Sequence, residues 1–353
     1  MDAPGAPPRR RRWFQFGLTA FLVFITTVAV AFAFVVRHRE RVALRNERLV
    51  RCGDFYDFAE QPDWHRKLFG PDRVGCARVF TADNLTDPCS PEPFDDAFMP
   101  YLAELTQLKE LSIGDTGATD AATPYLAGLR NLETLYVGHT QITDAGLRPI
   151  AGLTRLKKLG LTSMPITDAG LAQLDRLVEL RQLSIGYTPI TDAGLATVAR
   201  FRNLESLWIE NTQVTDAGLR HLAGLTQLKT LGLNGLTLSA DGIKHLQHLT
   251  SLTSLYLERT KLTNDALAPL AGMPKLVQLE LDGADLTNAG LRHVGNIKSL
   301  QAVDLNHTRV SDNGLEPLKS LPRLTYLNLT RSNTTLWAVA QLRLALPSVK
   351  IVP

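Results

Sequence analysis

Hydrophobic residues return along this chain at a fixed interval. The residue that opens each unit is Leu105, Leu129, Leu153, Leu177, Phe201, Leu225, Leu249, Met273, Ile297 and Leu321, a spacing of 24 residues throughout. Three positions later every unit has Leu, from Leu108 to Leu324. The next column runs from Leu111 to Leu327, broken only by Val303, and the one after it, Ile113 to Leu329, is always Ile, Val or Leu. Apolar residues alternate with outward positions over this stretch, which is the period of a strand with one apolar side. The second half of each unit, as in Leu147 and Ile150, changes to helical spacing. Each unit therefore predicts a short strand, a turn and a short helix. One unit cannot bury its apolar side chains alone, whereas stacked units can, so the pattern predicts a solenoid with a continuous core. Roughly seven apolar side chains per unit, at about 1.5–3 kcal/mol each when buried, make that core substantial.

The turn before each helix carries a second pattern. TDAGL stands at 143–147, 167–171, 191–195 and 215–219. The position of Thr143 holds a hydroxyl residue in all ten units, with Ser239 and Ser311 replacing Thr. A hydroxyl there can accept a backbone N–H left free at the helix start. Asp144 adds a favourable charge at the helix N-terminus, Gly146 permits close packing, and Ile142 and Leu147 face inward.

These residues carry a resemblance. L-x-x-L-x-L-x-x-T-x-[IV]-T-D-A-G-L is similar to the leucine-rich repeat, with Thr116, Thr140, Thr188, Thr212, Thr260 and Thr308 where many members have Asn or Cys. Met164, Leu236 and Ala284 depart from that column. The TDAGL variant resembles repeats of membrane-anchored bacterial leucine-rich-repeat proteins and of eukaryotic F-box-associated adaptors, though no F-box-like helical segment precedes the repeats. The resemblance implies an α/β fold: a right-handed horseshoe solenoid with a parallel β-sheet on its concave face, short helices on its convex face, and a concave surface that binds a protein or peptide. Ten repeats are expected over 105–344, an N-terminal cap over 54–104 and a C-terminal cap strand over 345–353. In the cap, VGCARVF at 74–80 reads as a strand, and Asp96-Ala97-Phe98-Met99 aligns with Asp144 to Leu147.

The first 36 residues have another character. Residues 13–36 contain no charge. As a helix they would extend about 36 Å, enough to cross a hydrocarbon core of about 30 Å. This stretch predicts one transmembrane signal anchor, longer than the core of a secretory signal peptide, although Ala29-Val30-Ala31 and Ala31-Phe32-Ala33 fit a cleavage pattern. Arg9 to Arg12 place the tail 1–12 in the cytoplasm and the repeats outside, periplasmic or at the cell surface. Residues 37–53 predict a basic juxtamembrane helix able to touch anionic headgroups. Net charge is +3, but residues 1–51 carry +7 and the remainder −4, so the basic character belongs to the N-terminus and not to a nucleic-acid-binding face. Of three cysteines, Cys76 and Cys89 are close enough in sequence to bridge outside the cytoplasm, and three reduced thiols fit equally well.

Motifs for chemistry are absent from the sequence. Asp115-Thr116-Gly117 matches an aspartic-protease loop in letters, but it occupies a strand-to-turn corner and has no second copy. His221, His245 and His293 share one repeat column with Tyr125, Pro149 and Gln173, the composition of a solvated convex position rather than a metal site. No cofactor, catalytic residue or metal ligand is expected. Function is instead expected on the outward strand positions. Tyr136, Trp208 and Tyr256 lie on this face, with Tyr187 and Arg259 in adjacent turns; Glu210, Glu258, Glu280, Asp282 and Asp304 make its second half acidic. Aromatic residues with Arg are typical of binding hot spots, and the acidity points to a basic protein or peptide. Acidic residues that merely keep an exposed sheet soluble would look the same. The reading is a membrane-anchored interaction scaffold, with a self-associating envelope component or a glycan-binding surface as alternatives.

Overall fold

The computed structural model describes Asp96, residues 99–103 and residues 106–353. The predicted membrane segment, the tail, the juxtamembrane helix, the 74–80 strand, Cys76 and Cys89 lie outside the described residues. Among the described residues no helix is long and apolar enough to cross a membrane.

The repeats form a parallel α/β solenoid. Three-residue strands recur every 24 residues, from Glu110–Ser112 through Thr134–Tyr136, Lys158–Gly160 and onwards to Tyr326–Asn328. Lys350–Val352 completes an eleven-stranded sheet in chain order, interrupted in numbering only by a short side pairing. Register is residue for residue at the repeat period, for example Leu207 beside Leu231 and Leu231 beside Leu255. Each strand buries its central residue and turns its flanking residues to the opposite face, because side chains alternate along a strand. Parallel neighbours need a long crossover, and the second half of each coil supplies it. The Leu, Ile and Val columns fill one continuous core, almost all of it without solvent contact.

Each coil turns its corner after the strand with one residue in the left-handed region. These ten residues run from Asp115 to Arg331, with φ between 50° and 72°, and only Gly235 and Gly283 are glycine. Asp115, His139, Asn211 and His307 are of the types that tolerate it best. The next residue is the Thr column. Thr140, Thr188, Thr260 and Thr308 are buried, and each hydroxyl donates to the carbonyl three residues back, at 2.8, 2.5, 2.5 and 2.7 Å. That bond satisfies a hydroxyl which would otherwise be costly to bury. Met164, Leu236 and Ala284 fill the same place as apolar groups. Asp115-Thr116 is one of these corners: Thr116 donates to the Ile113 carbonyl.

The convex crossovers are less uniform than the resemblance implies. Asp144–Ile150, Asp192–Val198 and Asn288–Val294 are α-helical, whereas Thr123–Gly128, Asn264–Gly272 and Glu316–Ser320 are 3-10 turns. Hydroxyl capping follows this division in part. Thr143, Thr167, Thr191, Thr215, Ser239 and Thr287 each accept a backbone N–H two residues on. Thr263 and Ser311, which precede 3-10 turns, make no such cap. The His221, His245 and His293 column is partly exposed; His293 Nε2 lies 3.3 Å from Asp265 Oδ1.

Stacking of the coils is fixed by a side-chain ladder. The Asp of TDAGL accepts two bonds from the Thr of the following coil, one from its N–H and one from its hydroxyl. Asp120 holds Thr143 at 2.7 and 2.6 Å, Asp168 holds Thr191 at 2.9 and 2.6 Å, and Asp216 holds Ser239 at 3.0 and 2.6 Å. Asp96 does the same for Thr119 at the start of the array, and Asp312 for Thr335 at its end. At the far end of the sheet, Arg343 donates to the Ile351 carbonyl at 2.8 Å and covers part of the edge.

Candidate functional site

The outward sheet face is shaped by glycine. Trp208 lies across Gly232 on the next strand, where any Cβ would collide with the indole. Its ring thereby reaches Tyr256, two strands away, with centroids 4.8 Å apart and planes tilted by 44°. Tyr136 leans over Gly160 in the same manner, a Cβ there meeting its ring at 2.5 Å. Aromatic pairs at this separation attract beyond their burial. The glycines at 160 and 232 are thus gaps in the outward column that let aromatic rings lie flat along the sheet.

Carboxylates continue the face from Tyr256 onward. Glu258 and Glu280 are half-buried, and burial pushes both carboxyls above the usual carboxylate range, reinforced by the charges of Asp282 and Asp304. For Glu280 a bond from Gln278 Nε2 at 2.7 Å works the other way, as Arg259 does for Glu258. Asp304 accepts from Asn328 Nδ2 at 2.8 Å and from the Asn306 N–H at 2.7 Å. Asp282 faces His307 Nδ1 at 3.0 Å, and Arg331 reaches His307 Nε2 at 2.9 Å. Glu210 leans over Gly186; its Oε2 is buried without a hydrogen-bond partner, and burial raises its carboxyl too. Carboxylates that hold charge against desolvation and against each other gain most from a cation brought beside them.

The structure brings Trp208, Tyr256, Glu258, Glu280, Asp282 and Asp304 onto one stretch of sheet. Tyr136 stands three strands from Trp208, about 14 Å at the usual strand spacing. Tyr187 and Arg259 occupy left-handed corner positions, φ 56° and 52°, so they project at the rim of the strand face. Sequence reasoning missed Tyr326, which lies on a third outward strand column. Its hydroxyl is pushed up by burial and by Asp304 and Glu280, and Lys350 Nζ sits 5.8 Å from its ring centroid. The signal is present in the sequence, because positions 110, 134 and onwards to 326 alternate with the buried Leu column and so face outward.

Among the described residues no group of acidic, His and Cys side chains could hold a metal ion. The geometry sets aromatic rings and carboxylates side by side on the outward face of the sheet.

Solenoid and repeat together resemble those of leucine-rich-repeat proteins. The family profile described as Leucine Rich repeat matches residues 128–151 and 296–319. Among solved structures, the chain is similar to an internalin (inlF) from Listeria monocytogenes, at 23% identity and a TM-score of 0.49, over 71% of this chain and 82% of that one. It is also similar to an internalin C2 (inlC2) from the same organism, at 28% identity and a TM-score of 0.47, over 57% of this chain and 82% of that one. Comparison with curated proteins gave no match.

Proposed function

We propose that this chain is a non-enzymatic, membrane-anchored interaction scaffold that binds a basic protein or peptide on its outward sheet face. The observation that carries the reading is the Trp208–Tyr256 pair, held at 4.8 Å across Gly232 and continued by half-buried carboxylates, Glu258 and Glu280, which burial raises and the charges of Asp282 and Asp304 raise further. Rings give contact area at low entropic cost, and a cationic side chain can meet both a ring face and a carboxylate. Residues 13–36 supply the anchor in this reading, with residues 1–12 in the cytoplasm and the repeats outside.

The test is capture of partners by the full chain in detergent, compared with the W208A/Y256A variant. A stoichiometric heterologous partner that binds the parent, dissociates as salt is raised, and is lost from the variant is the expected result. Undiminished capture by W208A/Y256A would place the binding face elsewhere. Capture of only the chain itself would favour self-association. Protease accessibility of a reporter at each terminus tests the topology.

A further inference from the structure

Among the described residues the Asp–Thr ladder has one gap. Between the coil opened by Leu225 and the coil opened by Leu249, the ladder position is Ala240, and Thr263 opposite it receives neither bond. The ladder resumes at once: Asn264 accepts from the Thr287 N–H at 3.0 Å and hydroxyl at 3.2 Å, and Asn288 accepts from the Ser311 N–H at 2.8 Å. Thr263 is also without its own capping bond, and the crossover after it, Asn264–Gly272, is a nine-residue 3-10 turn. Runs of 3-10 geometry this long are uncommon and mark hinges or strain.

The same junction is held tightly on its other side. Gly232 pairs with Tyr256 in the main sheet, and just past the corner Thr237–Leu238 pairs with Lys261–Leu262 as a separate two-stranded sheet. Beyond this pairing, on the convex side, one side-chain bond joins the two coils, from Gln247 Nε2 to the Pro269 carbonyl at 2.8 Å, and the remaining contacts are apolar, through Ile243, Leu246, Ala266, Leu267 and Leu270. Apolar contact is non-directional and tolerates small sliding, whereas a two-bond carboxylate contact does not. A pivot on one side and an unladdered edge on the other make a hinge.

We propose that the Ala240–Thr263 junction is the flex point of the solenoid, and that it lies directly beneath the aromatic platform. Trp208 belongs to the coil before Gly232 and Tyr256 to the coil after the gap. Bending at this junction therefore changes the separation of the two rings, letting the platform adjust to what it docks. The functional half of this inference rests on the proposed binding face; the hinge itself does not.

Hydrogen exchange of the full chain in detergent tests it without any partner. Amides of 264–272 are expected to exchange about tenfold faster than those of 288–295, which cover the next crossover. Ala240→Asp supplies the missing ladder residue. Asp96 and Asp312 hold their threonines with Ala122 and Ala338 at the place of Ala266, so Ala266 leaves room for it. The variant is expected to slow 264–272 towards the neighbouring rate. It is also expected to sharpen the 19F resonance of 5-fluorotryptophan at position 208, assigned by its loss in Trp208→Phe. Ala240→Asn, which copies the ladder residue Asn264, decides the matter should the Asp variant not fold. Equal exchange of the two crossovers in the parent, or no slowing in either variant, overturns the hinge. Slowed exchange with an unchanged fluorine line overturns the link to the platform. Loss of partner capture in the earlier experiment bears on neither.

Discussion

Asp144 of one coil accepts the backbone N–H of Thr167 in the next at 2.7 Å and its hydroxyl at 2.6 Å. Thr167 in turn accepts the Ala169 N–H at 3.2 Å and starts the following helix. One carboxylate therefore orients a neighbour's cap as well as standing at its own helix start. Repeats add stability through nearest-neighbour interfaces, and this relay is the polar part of that interface.

Asp144→Ala is expected to lower stability by about 1–3 kcal/mol, the usual range for losing charge-assisted bonds at a partly exposed site. Asp144→Asn should lose less, because Asn264 and Asn288 occupy equivalent places with the backbone bond retained. Urea unfolding of the two variants against the parent checks the order. Equal midpoints for Asp144→Ala and the parent would show the relay to be energetically silent.

Gly170 sits against the same carboxylate: a Cβ there would collide with Asp144 Oδ1 and approach the Asp144 Cα at 3.1 Å. Gly170→Ala is expected to cost about 1 kcal/mol or less, because Asp96 and Asp312 keep their ladder bonds beside Ala122 and Ala338 at the equivalent place. The cost should shrink in an Asp144→Ala background, because the colliding group is gone. A double-mutant cycle in urea measures the coupling, and strict additivity would mean that the glycine serves some other purpose.

Gly232→Val is expected to lift the Trp208 ring off the sheet and break its approach to Tyr256. The near-UV circular dichroism of the tilted pair should fall while the far-UV signal stays. Tryptophan emission should shift to longer wavelength as the indole gains solvent. An unchanged near-UV spectrum would show that the ring has another resting place.

The raised carboxyls set a pH dependence with a definite sign. Burial lifts Glu280 above its ordinary 4.5 in the folded state, so the fold binds its proton more tightly than the unfolded chain does. Its destabilising effect is fully present above the folded value and relieved as pH falls towards 4.5. Glu280→Gln should therefore stabilise the fold at neutral pH and flatten the rise in stability on mild acidification. Glu205 acts oppositely. Its bond from Lys229 at 2.6 Å, with the charges of Lys229 and Arg181, lowers its carboxyl. That contribution is present above 4.5 and lost as pH falls through the folded value. Thermal melts of Glu280→Gln and Glu205→Gln from neutral pH downward separate the two; parallel curves would contradict both assignments.

The 24-residue period by itself determined the parallel strands, their register, the buried columns and the Thr hydroxyl before each crossover. These follow from local periodicity and from the need of each coil to bury its apolar side. The period also placed Trp208, Tyr256 and the acidic residues on one outward face. The stacking of coils alone decided what the remaining groups touch. Asp144 reads in sequence as a charge for its own helix, yet its partner is 23 residues away, because the coil-to-coil spacing brings the next Thr within hydrogen-bonding range. Gly160 and Gly232 look like weak points in the outward column, and only side-chain geometry shows rings lying over them. The raising of Glu258 and Glu280 depends on burial and through-space charge, which no linear spacing encodes. The gap at Ala240 is visible as a letter, but it becomes a hinge only because the pivot at Thr237–Leu238 and Lys261–Leu262 holds the other side of the same junction.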